Sequence, residues 1–112
     1  MKVFISQPMN GLSFDEIKNN REKIVKEIEE RYPGLVFDVA DTLFVEEPDD
    51  VYKIYNLYYL GRSIQELGKC DAIYFASDWH NARGCKIERQ IAEDYGITIL
   101  NDYEFGKDIY DE

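Results

Sequence analysis

Short apolar runs alternate with longer stripes of helical period along this chain. Val3, Phe4 and Ile5 centre the first run, Lys2–Ser6, whose unbroken hydrophobicity suits a strand covered on both faces. Residues 71–76, centred on Ile73, Tyr74 and Phe75, and residues 97–100 read the same way, and residues 35–39 supply a further strand. After the first run, Ser13 stands three residues before Glu16, a capping box with Leu12 and Ile17 placed as its hydrophobic staple, so a helix begins there. Its buried stripe is Ile17, Ile24, Val25, Ile28 and Tyr32, and Pro33 with Gly34 stops it. Residues 51–67 predict a second helix with Ile54, Leu57, Gly61, Ile64 and Leu67 along one side, closed by Gly68 and Lys69. A third, between the last two strands, carries Cys85, Ile91, Ala92 and Tyr95 at helical spacing.

Strand and helix alternating in this way predict one α/β domain over residues 1–112. Its architecture is a three-layer, flavodoxin- or Rossmann-like open parallel sheet of four or five strands, with right-handed crossovers and helices on both faces. Residues 41–50, DTLFVEEPDD, read as an acidic surface loop. The tail after Leu100, with Tyr103, Phe105, Ile109 and Tyr110, reads as a short strand or helix docked on the domain.

One residue breaks the third helix's pattern. Glu88 falls three residues after Cys85 and four before Ala92, so a carboxylate lies on the stripe that faces the sheet. Such a group must be paired, capped by backbone N–H groups or kept for chemistry, because an isolated buried charge is costly. A structural bond to Arg83, Lys86 or loop amides is the plain alternative. The preceding loop, SDWHNARG, leaves the carboxyl end of a predicted parallel strand, where ligands of open α/β sheets bind. Within it Trp79 offers a flat face for a ligand or an interface, and Asp78 a carboxyl. The loop after the first strand, Ser6, Gln7, Pro8, Met9, Asn10 and Gly11, is either a tight turn or a cup of backbone amides beside a helix amino terminus.

Charge and composition narrow the partners. A formal net charge of −10 argues against a nucleic-acid backbone, which is held by Lys and Arg replacing counterions. No apolar run reaches membrane-spanning length and no leader-like stretch opens the chain, so the expectation is a soluble, cytoplasmic protein with no membrane partner. Cys70 and Cys85 lack a CxxC arrangement or a His-rich neighbour, and His80 is the single histidine, so neither a zinc site nor a disulfide is expected, and no metal or other cofactor. Tyr52, Tyr55, Tyr58 and Tyr59 crowd one helix beyond the needs of a small core, which suggests a homodimer or larger homo-oligomer face, or a ligand contact for one of them.

CDAIYF, a polar loop with Trp79, then ARGCKIE and an apolar helix, taken with VFISQPMNG at the amino terminus, resembles the nucleoside 2-deoxyribosyltransferase-like family, including its small, mostly uncharacterised bacterial and phage members. The matching stretches cover a little under half of the chain. The resemblance implies a small-molecule nucleoside or nucleotide as ligand and Glu88 as the nucleophile that attacks the anomeric carbon, with transfer to another base or to water. Two positions depart from the pattern. Ser63 stands where related enzymes carry a base-handling aspartate, beside Arg62, and Ala82 stands where nucleotide-cleaving relatives place a phosphate-binding serine. Arg83, next to Gly84, is then the alternative phosphate ligand, and Asp78 the spare acid. Three readings remain open: a glycosidic-bond enzyme, a module that binds, senses or sequesters a nucleotide derivative without turnover, and a structural oligomer.

Overall fold

In the computed structural model, which describes residues 1–102, the apolar runs pair as one parallel sheet of four strands in the order β2-β1-β3-β4. The strands are β1 (Lys2–Ser6), β2 (Asp38–Val39), β3 (Ala72–Phe75) and β4 (Thr98–Ile99), and α1 (Phe14–Arg31), α2 (Tyr55–Leu67) and α3 (Arg83–Tyr95) connect them. β3 is buried throughout and β1 from Val3 onward, as their continuous hydrophobicity requires. The edge strands are shorter than residues 35–39 and 97–100 suggested. Val36, Asp38 and Thr98 face water at the edges, and pairing with β1 extends only from Lys2↔Asp38 to Val3↔Val39.

Alternation along β1 sorts the core into two layers. Val3 and Ile5 meet Tyr74 and the α1 residues Ile24, Val25 and Ile28 on one face. Phe4 joins Leu67, Ile73, Phe75 and Ala92 on the other, under α2 and α3. The chain turns one way from β1 to β2 and the opposite way from β2 through β3 to β4, so the strand order reverses between β1 and β3. Such a switch point opens a crevice at the strands' carboxyl ends.

α1 begins with the capping box read from sequence: Glu16 N–H donates to Ser13 Oγ at 3.1 Å, and Ser13 N–H donates to Glu16 Oε1 at 2.8 Å. The α2 stripe differs from expectation. The helix starts at Tyr55 with no side-chain cap, and Ile54 and Leu57 are exposed. Its carboxyl half alone lies on the sheet, through buried Leu67 and half-buried Leu60 and Ile64. On α3, Cys85, Glu88 and Ala92 form the buried face, whereas Tyr95 turns to solvent just before Gly96 ends the helix at φ +72°. Residues 103–112, for which the sequence suggests a docked strand or helix, lie outside the described residues. Among the described residues no helix is long and apolar enough to cross a membrane.

Candidate active site

The alternation that builds the core also aims the end of β1. Ser6 follows Phe4 toward α3, and Gln7 follows Ile5 toward α1. Ser6 Oγ donates to Glu88 Oε1 at 2.6 Å, with both residues buried. Burial pushes the Glu88 carboxyl up to about 7, while the Ser6 hydrogen bond and the Arg21 charge act in the opposite sense. Neither Arg83 nor Lys86 is its partner; both are exposed. The stripe-breaking carboxylate is therefore held by the central strand, at the switch point, and not by its own helix.

Gln7 is pinned at both ends of its amide. Its Oε1 accepts from Arg21 Nε at 2.7 Å, and its Nε2 donates to the Ile17 carbonyl at 3.2 Å. Arg21 is 7% exposed, and burial lowers its guanidinium to about 10 against the charges of Asp41 and Glu88. Beyond Gln7, Pro8 and Met9 are half-buried, and Asn10 and Gly11 are exposed. Leu12 N–H closes the turn on the Met9 carbonyl at 3.1 Å, with Gly11 at φ +82°, a backbone state that glycine adopts without strain.

The second loop leaves beside the first. Ala76 N–H donates to the Ser6 carbonyl at 2.9 Å, carrying the β1–β3 pairing past the strand ends, so the segments starting at Gln7 and Ser77 depart from neighbouring positions. Asp78 is exposed, and its charge bears on Cys85, whose thiol also interacts with Ser6. Burial raises that thiol to about 12, so Cys85 is protonated near neutrality. Ala82 holds the cap position of α3 with no side-chain hydrogen bond, Arg83 is exposed on its first turn, and Gly84 lies near Leu60 of α2.

Trp79 does not stand free in its loop, although the loop's sequence gives it no apolar neighbour. It is half-buried in a short 3-10 turn, Trp79–Asn81, with its ring centroid 5.5 Å from Phe75 and the Arg89 guanidinium 5.2 Å from its own ring. Phe75 and Arg89 supply the apolar and cationic partners that the loop's own sequence lacks. Ser63 is half-buried on α2, and no hydrogen bond joins it to Glu88. Arg62 beside it is engaged elsewhere, in an ion pair with Glu46 and over the Phe44 ring at 4.3 Å.

Three buried polar residues have no place in the sequence reading. Arg21 is one. Thr42, on the carboxyl side of β2, is another, and its hydroxyl has no partner among the described residues. Asn101 is the third, and it bonds the backbone of Phe75. Arg21 alone left a signal, since it interrupts the α1 stripe four residues after Ile17 and three before Ile24. Among the described residues no three His, Cys, Asp or Glu side chains gather as a metal-ligating group. A shallow depression lined by Asn19, Glu22, Lys23 and Lys26 follows the outer face of α1 and includes none of the Glu88 cluster.

What the cluster offers chemically is a buried carboxyl that gains and loses its proton near neutrality, oriented by one hydroxyl. A group so placed has the chemistry of a nucleophile or a general base, and equally of a structural hydrogen-bond acceptor. No curated protein matches the chain, and no solved structure does. The family model described as "Domain of unknown function (DUF4406)" matches residues 1–101, nearly the whole sequence, and the chain belongs to that family.

Proposed function

We propose that this protein binds a nucleoside or nucleotide and cleaves or transfers its N-glycosidic bond, as the resemblance to nucleoside 2-deoxyribosyltransferase-like proteins implies. The observation that carries the reading is the Ser6–Glu88 pair, a buried, ionisable carboxyl at the switch point of an open α/β sheet. With Glu88 Oε1 held by Ser6, Oε2 attacks the anomeric carbon. The C–N bond breaks, its electron pair leaves with the base, and the base takes a proton, for which Asp78 is the acid at hand. A second base or a water then displaces Glu88, so one displacement becomes two. In this reading Gln7, Pro8, Met9, Asn10 and Gly11 from the β1 loop, and Trp79, Ala82, Arg83 and Gly84 from the β3 loop, would contact the ligand, with Ser63 on α2.

The assembly is a homodimer or larger, formed through the exposed apolar start of α2. The compartment is the cytoplasm, whose reducing conditions suit two free thiols, Cys70 and Cys85. A second reading, a binder without turnover, is favoured by Ser63 and Ala82, neither of which supplies the acid or the phosphate donor found in the enzymes. Glu88→Gln separates the two. For an enzyme, base release from a panel of nucleosides and nucleotides disappears while ligand affinity changes little, because the lost interaction belongs to the transition state. Turnover that persists in Glu88→Gln sinks the nucleophile assignment, and a wild type that releases no base from any member leaves the binder.

A further inference from the structure

Among the described residues Arg21 is the one buried cation and Glu88 the one buried anion. They sit on helices that cover opposite faces of the sheet, and two consecutive residues at the end of β1 reach them. Ser6 donates to Glu88 at 2.6 Å, and Gln7 accepts from Arg21 at 2.7 Å. A buried guanidinium ordinarily meets a carboxylate or several acceptors. Here its acceptor is a neutral amide, and Nη2 has no partner among the described residues. Holding Gln7 would need only a neutral donor. The charge is an added cost with no ion pair at contact distance among the described residues, and Asp41 and then Glu88 are the carboxylates whose fields act on it.

We propose that Arg21 is a positioning residue for Glu88: through Gln7 it fixes the end of β1 that carries Ser6, and it supplies a counter-charge that favours the ionised form of Glu88 against burial. The proposal rests on the reading of Glu88 as nucleophile, since the ionised form is the one that attacks. The other groups around the pair do not supply this charge. Asp41 faces Arg21 from the end of β2, Asp78 bears on Cys85 from the β3 loop, and Cys85 on Glu88's own helix stays a neutral thiol. Ser6 and Arg21 are the two groups that favour the Glu88 carboxylate against burial.

The test is a direct titration of the Glu88 side-chain carboxyl by carbon NMR, its resonance assigned by its loss in Glu88→Gln. Wild type should show a midpoint near 7. Arg21→Met should raise it by roughly one unit, Arg21→Lys should restore most of the difference, and Gln7→Leu, which frees the guanidinium from its anchor, should raise it part of the way. A midpoint unmoved in Arg21→Met, or moved equally far in Arg21→Lys, overturns the proposal. Should Arg21→Met fail to fold by circular dichroism, Gln7→Leu decides, and an unmoved midpoint there overturns it as well. The measurement needs no turnover. A shifted midpoint in a protein that releases no base would support the role of Arg21 while removing the glycosidic reading, and the reverse result would do the opposite.

Discussion

Ser6 Oγ lies 2.6 Å from Glu88 Oε1 and donates to it, tying the central strand to α3 where the strand order reverses. A hydroxyl donor favours the carboxylate and fixes which oxygen remains for attack. Ser6→Ala should therefore lower kcat/KM for base release by about 10- to 100-fold, the equivalent of one hydrogen bond to a charged group. The limb of the pH profile that reports Glu88 ionisation should move upward in the same variant. A profile that keeps its midpoint while the rate falls would limit Ser6 to orienting the side chain.

The protonation of Glu88 also links stability to pH. Its folded value of about 7 lies above the ordinary 4.5, so the folded state binds this proton more tightly than the unfolded chain does. The resulting stabilisation is complete below 4.5, declines as pH rises through the window and is gone above 7. A shift of this size corresponds to something on the order of 3 kcal/mol. Glu88→Gln cannot titrate, so the Tm of wild type relative to this variant should fall between pH 4.5 and pH 7. A constant difference across that interval would show that the carboxyl is already ionised within the fold.

Asn101 closes the sheet after β4 has ended at Ile99. Its Oδ1 accepts from the Phe75 N–H at 3.2 Å and its Nδ2 donates to the Phe75 carbonyl at 2.8 Å, so a side-chain amide replaces the next rung of the ladder. Asn101→Ala should cost about 2–3 kcal/mol in urea unfolding, because it removes two buried hydrogen bonds to the Phe75 backbone. A loss below about 0.5 kcal/mol would mean that water takes over both bonds.

The two buried charges explain how far the sequence could be read. The order of elements followed from hydrophobic runs, and Glu88 was visible because a carboxylate interrupts the α3 stripe. Arg21 interrupts the α1 stripe in the same manner, yet a long arginine on a surface helix ordinarily snorkels to water, so that interruption does not by itself mark a buried charge. Its meaning depends on Gln7, fourteen residues away, and on Ser6 beside it, and no local pattern encodes that triangle. Trp79 shows the same dependence in reverse. The loop around it is polar, and its partners Phe75 and Arg89 come from the strand before and the helix after. The α2 stripe was misread at its start because helical spacing identifies a face but not how much of that face the sheet covers. Ile54 and Leu57 share the face of Leu67 in the sequence pattern and still meet solvent.

That uncovered face yields the last prediction. Val51, Tyr52, Ile54, Tyr55 and Leu57 are all exposed at the start of α2, while Tyr58 is packed between Tyr52 and Tyr59 at ring distances of 4.7 and 5.1 Å. Tyr59 is further occupied in donating its hydroxyl to the Glu46 carbonyl at 2.9 Å. The tyrosines thus divide into an inner pair, Tyr58 and Tyr59, and an outer pair, Tyr52 and Tyr55, exposed in the same segment as Ile54 and Leu57. Large apolar side chains exposed together in one short segment suit an interaction surface, and aromatic residues supply contact area at low entropic cost. A formal charge of −10 on each copy opposes self-association at long range, so added salt should strengthen it by screening. Light scattering at micromolar concentration should give a dimer or larger species. Leu57→Glu, which sets a carboxylate in this segment at a position already 59% exposed, should return a monomer whose helical signal is unchanged. A wild type that is monomeric at every salt concentration would leave this face to a different partner and remove the homo-oligomer from the proposed function.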